Sequence, residues 1–466
     1  GDEIEKLTRR KATERIDDLE TRKEGKAITE SEDEIRKMYW ADYHNLVNDQ
    51  RRIQSRRGSF DRTIKKAKEL KEQIFYHRVF TDYRGRLYLS DSSLNYQGNN
   101  LQRGLIEFAE GRAVNESEWK FIWLHLANTW GMKGVWKQRV ETAKAMTSEI
   151  LRYARSPVAT YDEWSQAADK WQFIRTCFEI CDLLDNPEHL SHLICEVDQS
   201  TSCLQHMALV MNDLEMMKKV NIGLHFSDIY QLIGDSLEFV SEVSPEHRRK
   251  IALVPFGYGS GIQKIAAAYD DLDLPYLMSL QPNERFDLAQ KVVEKINELL
   301  PSAGFYKQKM SELADQLLIE GKDKFYWRTA SGFEVHHRKQ LPVPDDQAFR
   351  PILFLRKARE GEGRPKIAKL QAVEPSNFPD KSKLKSGLAP NVIHSIDATL
   401  IHQMLVQFKD RAPIVCVHDA IGAHASTLHE VTEMFYLKLN ALYTGFNPKM
   451  YFDHDMSGSE IPILQA

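Results

Sequence analysis

The chain of 466 residues carries a formal net charge of -4, with 42% hydrophobic and 28% charged residues. This composition is typical of a globular protein with two or three lobes, and it argues against a simple basic nucleic-acid-binding protein. A nucleic-acid enzyme stays open, because local fields matter more than the total charge. Five cysteines without a Cys-x-x-Cys pair indicate a reducing compartment and no zinc site. We expect neither a membrane span nor a signal peptide, since no apolar run is long enough.

The first part of the chain, residues 1–75, is dominated by charged side chains with spaced apolar residues. This pattern predicts long, exposed helices. A basic run within it includes Arg51, Arg56 and Lys65. The run fits either a solvated helix face, which this stretch alone favours, or an arm that follows a phosphate backbone.

A short motif follows, in which Asp82, Arg84, Gly85 and Arg86 lie within the stretch 80–88. The alternation of residues predicts a strand, with Gly85 permitting close backbone approach. Two arginines beside a glycine suit phosphate or ribose contacts, although a surface turn with solvated arginines is the alternative. Helices rich in aromatic core residues are predicted from 116 to 184.

The stretch from Ile194 to His206 combines an apolar segment ending at Val197 with Asp198 and small polar residues. We predict a short buried strand, followed by a helix over 203–218. A carboxylate at such a junction is well placed to hold a metal, although capping of the helix is the simpler alternative.

Helical spacing recurs further on, where Lys250, Val254 and Tyr258 would share one face of a helix. Pro255 and Gly257 predict that this helix kinks or ends there. A lysine at this place can bind a triphosphate or protonate a leaving pyrophosphate, and the tyrosine can stack near a sugar.

Helices with interruptions at prolines are predicted over 262–320, followed by a hairpin over 324–340 that turns at Ser331-Gly332. A second hairpin is predicted over 352–373, with a basic tip that either enters a groove or is a soluble loop. The polar segment with Lys381, Lys383 and Lys385 reads as a connector, and a helix is expected to start at about Gly387.

The segment from Pro413 to His424 predicts a β-hairpin whose tip carries His418 and Asp419. Asp198 and Asp419 on adjacent strands would meet the requirement of a two-metal phosphoryl-transfer site. In such sites the ions lie roughly 3.5–4 Å apart and carboxylates on rigid elements bridge them.

Five motifs occur in a fixed order along the chain. They are Asp82-x-Arg-Gly-Arg, Asp198 with Gln205-His206, Lys250 with Tyr258-Gly259, Pro390-Asn391-x-x-His394-Ser395, and His418-Asp419. Together they resemble the single-subunit, phage- and mitochondrial-type DNA-dependent RNA polymerases over roughly residues 75–430. The resemblance implies an α+β, mostly helical right-hand fold with an antiparallel palm sheet, helical fingers and a helical thumb.

The same resemblance implies a division of the chain into four parts. The thumb would comprise residues 1–75, the first part of the palm 76–213, the fingers 214–394 and the second part of the palm 395–466. The basic hairpin at 352–373 matches the place where the family reads promoter DNA.

The family's metal site would be formed by Asp198, Asp419 and the main-chain carbonyl of Gln199, which would bind two Mg²⁺ ions. Lys250 would contact the phosphates of the nucleotide, and His418 would orient the active-site hairpin.

The remaining site residues implied by the resemblance contact the nucleotide or the hybrid. Tyr258 and His394 would sense the ribose 2′-hydroxyl, Tyr230 would lie beside the nucleotide, and Arg84 and Arg86 would touch the RNA–DNA hybrid or the nucleotide.

The sequence departs from the family at three places. Glu246 stands where the family has an arginine, for which Arg248 or Arg249 could substitute, and Trp123 stands where a family helix carries a phosphate-binding lysine. The third departure is the small amount of chain before the thumb. We therefore expect a second subunit or a DNA-opening factor, and a phage-infected bacterial cytoplasm as the setting.

The predicted function is that of a DNA-dependent RNA polymerase core, which extends RNA on a DNA template with NTPs. A DNA polymerase or primase-like enzyme of the same architecture is the nearest alternative. The small Cys203, where DNA polymerases place a glutamate that blocks the 2′-hydroxyl, argues against it, as does His394. A non-catalytic nucleic-acid-binding subunit would need neither aspartate, and a metal-dependent nuclease would have no use for Lys250 and Tyr258.

Overall fold

The computed structural model describes residues 52–223, 226–239, 241–253, 261–272, 274–342, 352–355, 367–370 and 375–444. The described residues fall into two compact units. The smaller comprises 52–76 and Asp91–Asn95, and the larger comprises His77–Ser90 and the residues from Tyr96 onward.

The smaller unit contains helix α1 (52–70). Its outer face pairs Lys65 and Lys66 with Glu69, and the Thr63 hydroxyl donates a hydrogen bond of 2.8 Å to the Ser93 carbonyl. The predicted exposed, charged helix is confirmed over 52–70, whereas residues 1–51, with Arg51, lie outside the described residues.

The larger unit is mostly helical with small antiparallel sheets, which confirms the predicted fold class. Its helices are α2 (Asn100–Gly104), α3 (Trp119–Trp130), α4 (Trp136–Ala145), α5 (Thr147–Arg155), α6 (Tyr161–Trp164), α7 (Lys170–Asp185), α8 (Ser202–Val210), α9 (Leu214–Lys219), α10 (Ile229–Asp235), α11 (Pro245–Ala252), α12 (Ile262–Ala268), α13 (Pro275–Ser279), α14 (Pro282–Leu299), α15 (Pro301–Ile319), α16 (Lys381–Phe408) and α17 (Ala425–Thr444).

The strands of this unit form two-stranded and three-stranded antiparallel sheets. They are β1 (Val79–Thr81), β2 (Leu87–Leu89), β3 (Cys195–Val197), β4 (Phe325–Arg328), β5 (Glu334–His337), β6 (Gln340–Pro342), β7 (Ile352–Leu355), β8 (Ile367–Leu370), β9 (Pro375–Pro379), β10 (Ile414–Val417) and β11 (Ala420–Ala423). Strands β10, β11 and β3 lie side by side in that order, and the other sheets pair β1 with β2, β4 with β5, β6 with β9 and β7 with β8.

Two hydrophobic clusters of buried residues support this arrangement. One packs the three-stranded sheet against α3, α7 and α17, with Phe173, Ile180 and Ile421 almost fully buried. The other joins α8 to α10, α14, α15 and α16, and includes Met207, Ile233 and Ile396. The first cluster therefore packs the sheet, beside which Asp198 and Asp419 lie, against helices.

Prolines begin several helices, as the interruptions near Pro275, Pro282 and Pro301 predicted. Proline is favoured at the first helical position because the missing N–H would have no intrahelical partner there. The hairpin that turns at Ser331-Gly332 and the pairing of β7 with β8 are also confirmed. The tip of the second hairpin, 356–366, lies outside the described residues.

Three local predictions were wrong in their boundaries. The single helix over 203–218 is two helices, because Asn212 adopts a left-handed φ of 52° and Asp213 then caps α9. The stretch 80–88 forms two short strands joined by a turn, in which Asp82 accepts from the amides of Arg84 and Arg86. The presumed lysine connector is the first turn of α16, which Asp380 caps.

Helix α16 is attached to the β4–β5 hairpin through a buried histidine. His337 donates from Nε2 to the Leu384 carbonyl at 2.9 Å, and its Nδ1 accepts from the Asn391 amide at 3.0 Å. Burial lowers the pKa of His337 to about 4, so the ring is neutral and both nitrogens are satisfied. Asn391 of the Pro-Asn motif thus fixes the hairpin on α16.

Among the described helices, none combines the length and apolar composition that a membrane crossing would need.

Candidate active site

The predicted aspartates meet at one end of the three-stranded sheet. Strands β3 and β11 are antiparallel, with Val197 opposite Ile421. Asp198 follows the end of β3 and Asp419 precedes the start of β11, so this register places both residues at the same edge. The predicted hairpin with Asp419 in its turn is confirmed, since β10 and β11 are joined by His418 and Asp419 alone.

The surroundings of Asp198 and Asp419 disfavour the ionised form of both carboxyl groups. The surrounding protein raises the pKa of Asp198, and the negative charge of Asp419 raises it further. The pKa of Asp419 is also raised, by burial and then by the charge of Asp397, although Ser202 donates a hydrogen bond to it. Asp198 is nevertheless exposed to solvent, and it lines a cleft. Neither aspartate forms an ion pair with a described lysine or arginine, so a cation would stabilise both.

The donor set fits Mg²⁺ ions that complete their coordination with water and substrate. Magnesium is held in nucleotide enzymes by one or two carboxylates together with phosphate oxygens. Asp198, Asp419 and the Gln199 carbonyl would supply the protein's share. Within the described ranges no cluster of three or more His, Cys, Asp and Glu side chains suited to a metal is found.

His418 occupies the first position of the two-residue turn, with a φ of 59°. Its ring packs edge-on against Tyr88 of β2, with the ring centroids 5.4 Å apart. Burial, followed by the charge of Arg86, lowers the pKa of His418. The His418 ring thus joins the turn before Asp419 to strand β2.

A cavity of about 390 Å³ adjoins Asp198 and Gln199. Tyr230 of α10 lines this cavity. Asp228 caps α10 by accepting from the amides of Tyr230 and Gln231, and this cap sets the start of the helix.

Four basic side chains line the same cavity, namely Arg103, Lys133, Arg139 and Arg249, and Arg103 is paired there with Glu196. Burial lowers the pKa of Lys133, and the charges of Arg249 and Arg139 lower it further. Carboxylates line the cavity as well, so these cations would supply individual charged contacts to a polyanion. The sequence reasoning missed Lys133 and Arg139. The sequence feature that could have indicated Lys133 is the pair Gly131 and Gly134, which flank it in the turn between α3 and α4. Both glycines adopt a left-handed φ there.

The basic residues that follow Glu246 on helix α11 lie in different surroundings. Lys250 is exposed and pairs with Glu246 at 2.7 Å, and Arg248 pairs with Asp235 at 3.0 Å. Arg249 instead lines the cavity, where its Nε lies 2.6 Å from Asp228 and its guanidinium 5.7 Å from the centre of the Tyr230 ring.

The rotation of α11 has a packing cause. A Cβ at Gly234 of α10 would lie 2.7 Å from both the carbonyl carbon and the oxygen of Arg248. The two helix backbones are therefore in direct contact there. This contact directs Arg249 into the cavity and Lys250 to the surface. Val254 and Tyr258 lie outside the described residues.

The turn with Arg84 and Arg86 contacts α16. Arg86 is 9% exposed and forms an ion pair of 2.7 Å with Asp397. Arg84, which is half-buried, binds Asp82 through Nε and Nη2 and donates from Nη1 to Nδ1 of His394 at 3.0 Å. His394 therefore carries its proton on Nε2. Burial, then the charges of Arg86 and Arg84, lowers its pKa to about 3, which keeps the ring neutral.

A second buried contact joins Asp397 to the helix that follows the first aspartate. His206 of α8 lies with Nε2 3.6 Å from Asp397, and its Nδ1 is 2.6 Å from the Tyr443 hydroxyl. Asp397 lies two residues after the Pro-Asn motif, and its sequence spacing gave no sign of a role. Cys203, the small residue that the ribose argument requires, is buried at the start of α8.

With this geometry established, the comparison with known proteins decides the family. Residues 112–255 and 260–447 match the family model of DNA-dependent RNA polymerase. The chain belongs to the DNA-dependent RNA polymerase family. This confirms the resemblance seen in the five motifs.

Several curated relatives are mitochondrial DNA-directed RNA polymerases. The mouse protein is 24% identical over 408 residues, which cover 80% of this chain and 32% of the relative. The human protein is 25% identical over 399 residues, with the same two shares. The Nicotiana sylvestris enzyme is 24% identical over 442 residues, or 89% of this chain and 43% of the relative. The chain thus spans about a third of the length of the mammalian relatives.

Proposed function

We propose that this polymerase-family chain is a catalytic core that extends an RNA 3′-hydroxyl with NTPs on a DNA template. The observation that carries the proposal is the placement of Asp198 and Asp419 at the same edge of two adjacent strands, beside a cavity that four basic side chains line. Carboxylates for metal ions and cations for phosphates are the two charge elements that nucleotidyl transfer requires.

In the proposed mechanism, Asp198, Asp419 and the Gln199 carbonyl would hold two Mg²⁺ ions. When bound, the ions would activate the 3′-hydroxyl and neutralise the charge that develops on pyrophosphate. The protein fixes the distance between the two carboxylates through the β3–β11 register, and His418 orients the Asp419 turn against Tyr88.

Arg249, Lys133 and Arg139 bind the triphosphate in this proposal, because they line the cavity next to Asp198. The contact expected of Lys250 would require its ammonium to leave Glu246, with which it is paired at the surface. Tyr230 lies below the Arg249 guanidinium and would flank the nucleotide.

Selection of ribose is assigned to His394, Cys203 and Tyr258. The neutral His394 ring carries its proton on Nε2, which can donate to a 2′-hydroxyl oxygen. The short side chain of Cys203 would leave room for the 2′-hydroxyl of the ribose. Arg84 is retained as a contact to the hybrid, whereas Arg86, which is buried against Asp397, is assigned to holding the turn.

The larger organisation is proposed from the family. Residues 1–75 would form the thumb, 76–213 and 395–466 the palm, and 214–394 the fingers. The proposal includes DNA template, RNA–DNA hybrid and NTPs as partners, with a second subunit or DNA-opening factor for promoter handling. A phage-infected bacterial cytoplasm stays a prediction, as the named relatives are mitochondrial.

The test of this function is extension of a labelled RNA primer on a DNA template scaffold with Mg²⁺ and either NTPs or dNTPs. We expect extension with NTPs and its loss when EDTA removes the metal. Extension with dNTPs alone would favour the DNA polymerase alternative. Scaffold binding without extension by either substrate would favour a non-catalytic subunit and contradict the proposal.

Replacing Arg249 tests the phosphate-binding group. In Arg249→Gln we expect KM for NTPs to rise roughly 10- to 100-fold, because a charge-assisted contact to phosphate is lost. Steady-state single-nucleotide extension would measure KM and kcat separately. The matched control is Arg248→Gln on the same helix, whose partner is Asp235. An unchanged KM in Arg249→Gln would remove this arginine from the proposed mechanism.

A further inference from the structure

Three successive residues of the Asp82–Arg86 turn each bond to a side chain of α16. Arg84 donates to Nδ1 of His394 at 3.0 Å, and Arg86 pairs with Asp397 at 2.7 Å. Between them, the Gly85 carbonyl accepts a hydrogen bond of 2.8 Å from Nε2 of His402. Positions 394, 397 and 402 project from a common side of a helix, so α16 holds the turn at three points.

The turn already has a defined internal shape. The Asp82 carboxylate accepts from the amides of Arg84 and Arg86 at 2.9 and 3.0 Å, and the Gly85 amide donates to the Asp82 carbonyl at 3.0 Å. What these bonds leave open is the position of the turn relative to the rest of the unit. The contacts to α16 supply that position.

Gly85 is buried and adopts a left-handed φ of 91°. A Cβ at this residue would lie 3.3 Å from Cδ1 of Phe333 and 3.4 Å from Cε1 of His402. The turn therefore fits closely against both α16 and the β4–β5 hairpin. A buried carbonyl requires a donor, and His402 is the residue that supplies it.

The protonation state of the His402 ring allows it to donate a hydrogen bond to the Gly85 carbonyl. Because Nε2 donates to Gly85, Nδ1 is the accepting nitrogen and faces the Ser331 hydroxyl at 3.5 Å. The ring is half-buried, and burial lowers its pKa, against the effect of the Gly85 bond, so it acts as a neutral donor. The resemblance to polymerases gave His402 no role.

We propose that His402 is a positioning residue that holds the Gly85 carbonyl and so fixes the direction in which Arg84 is presented to the RNA–DNA hybrid. The inference rests on the proposed function, in which Arg84 contacts the hybrid. It adds a residue that acts through the turn and touches neither the nucleotide nor the metal site.

Two substitutions separate the hydrogen bond from ring packing. His402→Phe keeps a ring beside Phe333 and removes the donor. His402→Gln removes the ring and keeps a donor, since the Gln side-chain amide reaches about as far as the Nε2 of histidine. Gln403→Ala is the matched control, because Gln403 is the next residue on α16 and belongs to neither the turn nor the metal site.

The primary readout is the dissociation rate of a fluorescent RNA–DNA scaffold, with thermal unfolding as the check on folding. We expect His402→Phe to raise the dissociation rate roughly tenfold, in line with the loss of one hydrogen bond in a positioned contact. KM for the NTP should stay within about twofold, because the phosphate-binding side chains are untouched. His402→Gln should restore most of the scaffold retention, and Gln403→Ala should behave as the unmodified chain.

Equal impairment in His402→Phe and His402→Gln would show a packing role and overturn the inference, as would a normal dissociation rate in His402→Phe. Failure of the proposed function has a different signature, since the unmodified chain would then not extend the primer. Scaffold dissociation does not depend on extension, so it still reports on His402 in that case.

Discussion

Asp198→Asn and Asp419→Asn are each expected to reduce primer extension by roughly 10³-fold or more, because each change removes a charged ligand of the metal ions, which contribute several kcal/mol to the transition state. The substitution keeps the volume of the side chain and changes only its charge. Rapid-quench measurement of a single nucleotide addition, at saturating NTP and Mg²⁺, would give the rate of the chemical step.

The same variants should retain the fold. Both aspartates have raised pKa values because they lie among protein atoms and near other carboxylates, so the loss of one negative charge relieves repulsion. We therefore expect an unchanged or higher unfolding temperature and nearly unchanged scaffold affinity. Asp182→Asn, an exposed position on α7, is the control for the chemical change itself. Substantial extension by either active-site variant would remove the basis of the two-metal proposal.

Asp397→Asn is expected to lower the free energy of unfolding by roughly 3–5 kcal/mol, because it leaves the Arg86 guanidinium buried without its counter-charge. The side chains of Arg86 and Asp397 are 10% and 2% exposed. Burial acts to raise the pKa of Asp397, but His206 and Arg86 outweigh it and lower the pKa to about 2. The carboxylate is thus ionised in the fold, and its neighbours depend on that charge.

Urea unfolding followed by tryptophan fluorescence would measure this loss. The double variant Arg86→Met with Asp397→Leu should lose less stability than the sum of the two single changes, since it leaves no unpaired buried charge. Asp185→Asn supplies the control, because Asp185 pairs with Arg155 at 3.0 Å while both side chains are 58% exposed. That change should cost less than about 1 kcal/mol. A similarly small loss in Asp397→Asn would show that the buried pair is not a structural determinant.

The local sequence determined the elements that present the two aspartates. An apolar segment of a few residues before each aspartate was enough to predict β3 and β10. The hairpin was predictable because only His418 and Asp419 separate the two strands β10 and β11. These predictions succeeded because strand burial and tight turns depend on neighbouring residues. The α10 start at Asp228 was predictable for the same reason, since a capping side chain bonds the next amides of its own helix.

The tertiary structure alone decided which basic residues reach the site. Lys250 and Arg249 are adjacent in sequence, and their spacing could not show which one faces the cavity. That choice follows from the rotation of α11, set by the contact of Gly234 with the Arg248 backbone. The roles of Lys133, Asp397 and His402 also require partners that are distant in sequence. Residue spacing predicts which side chains share a face, whereas the packing of one helix on another decides what that face contacts.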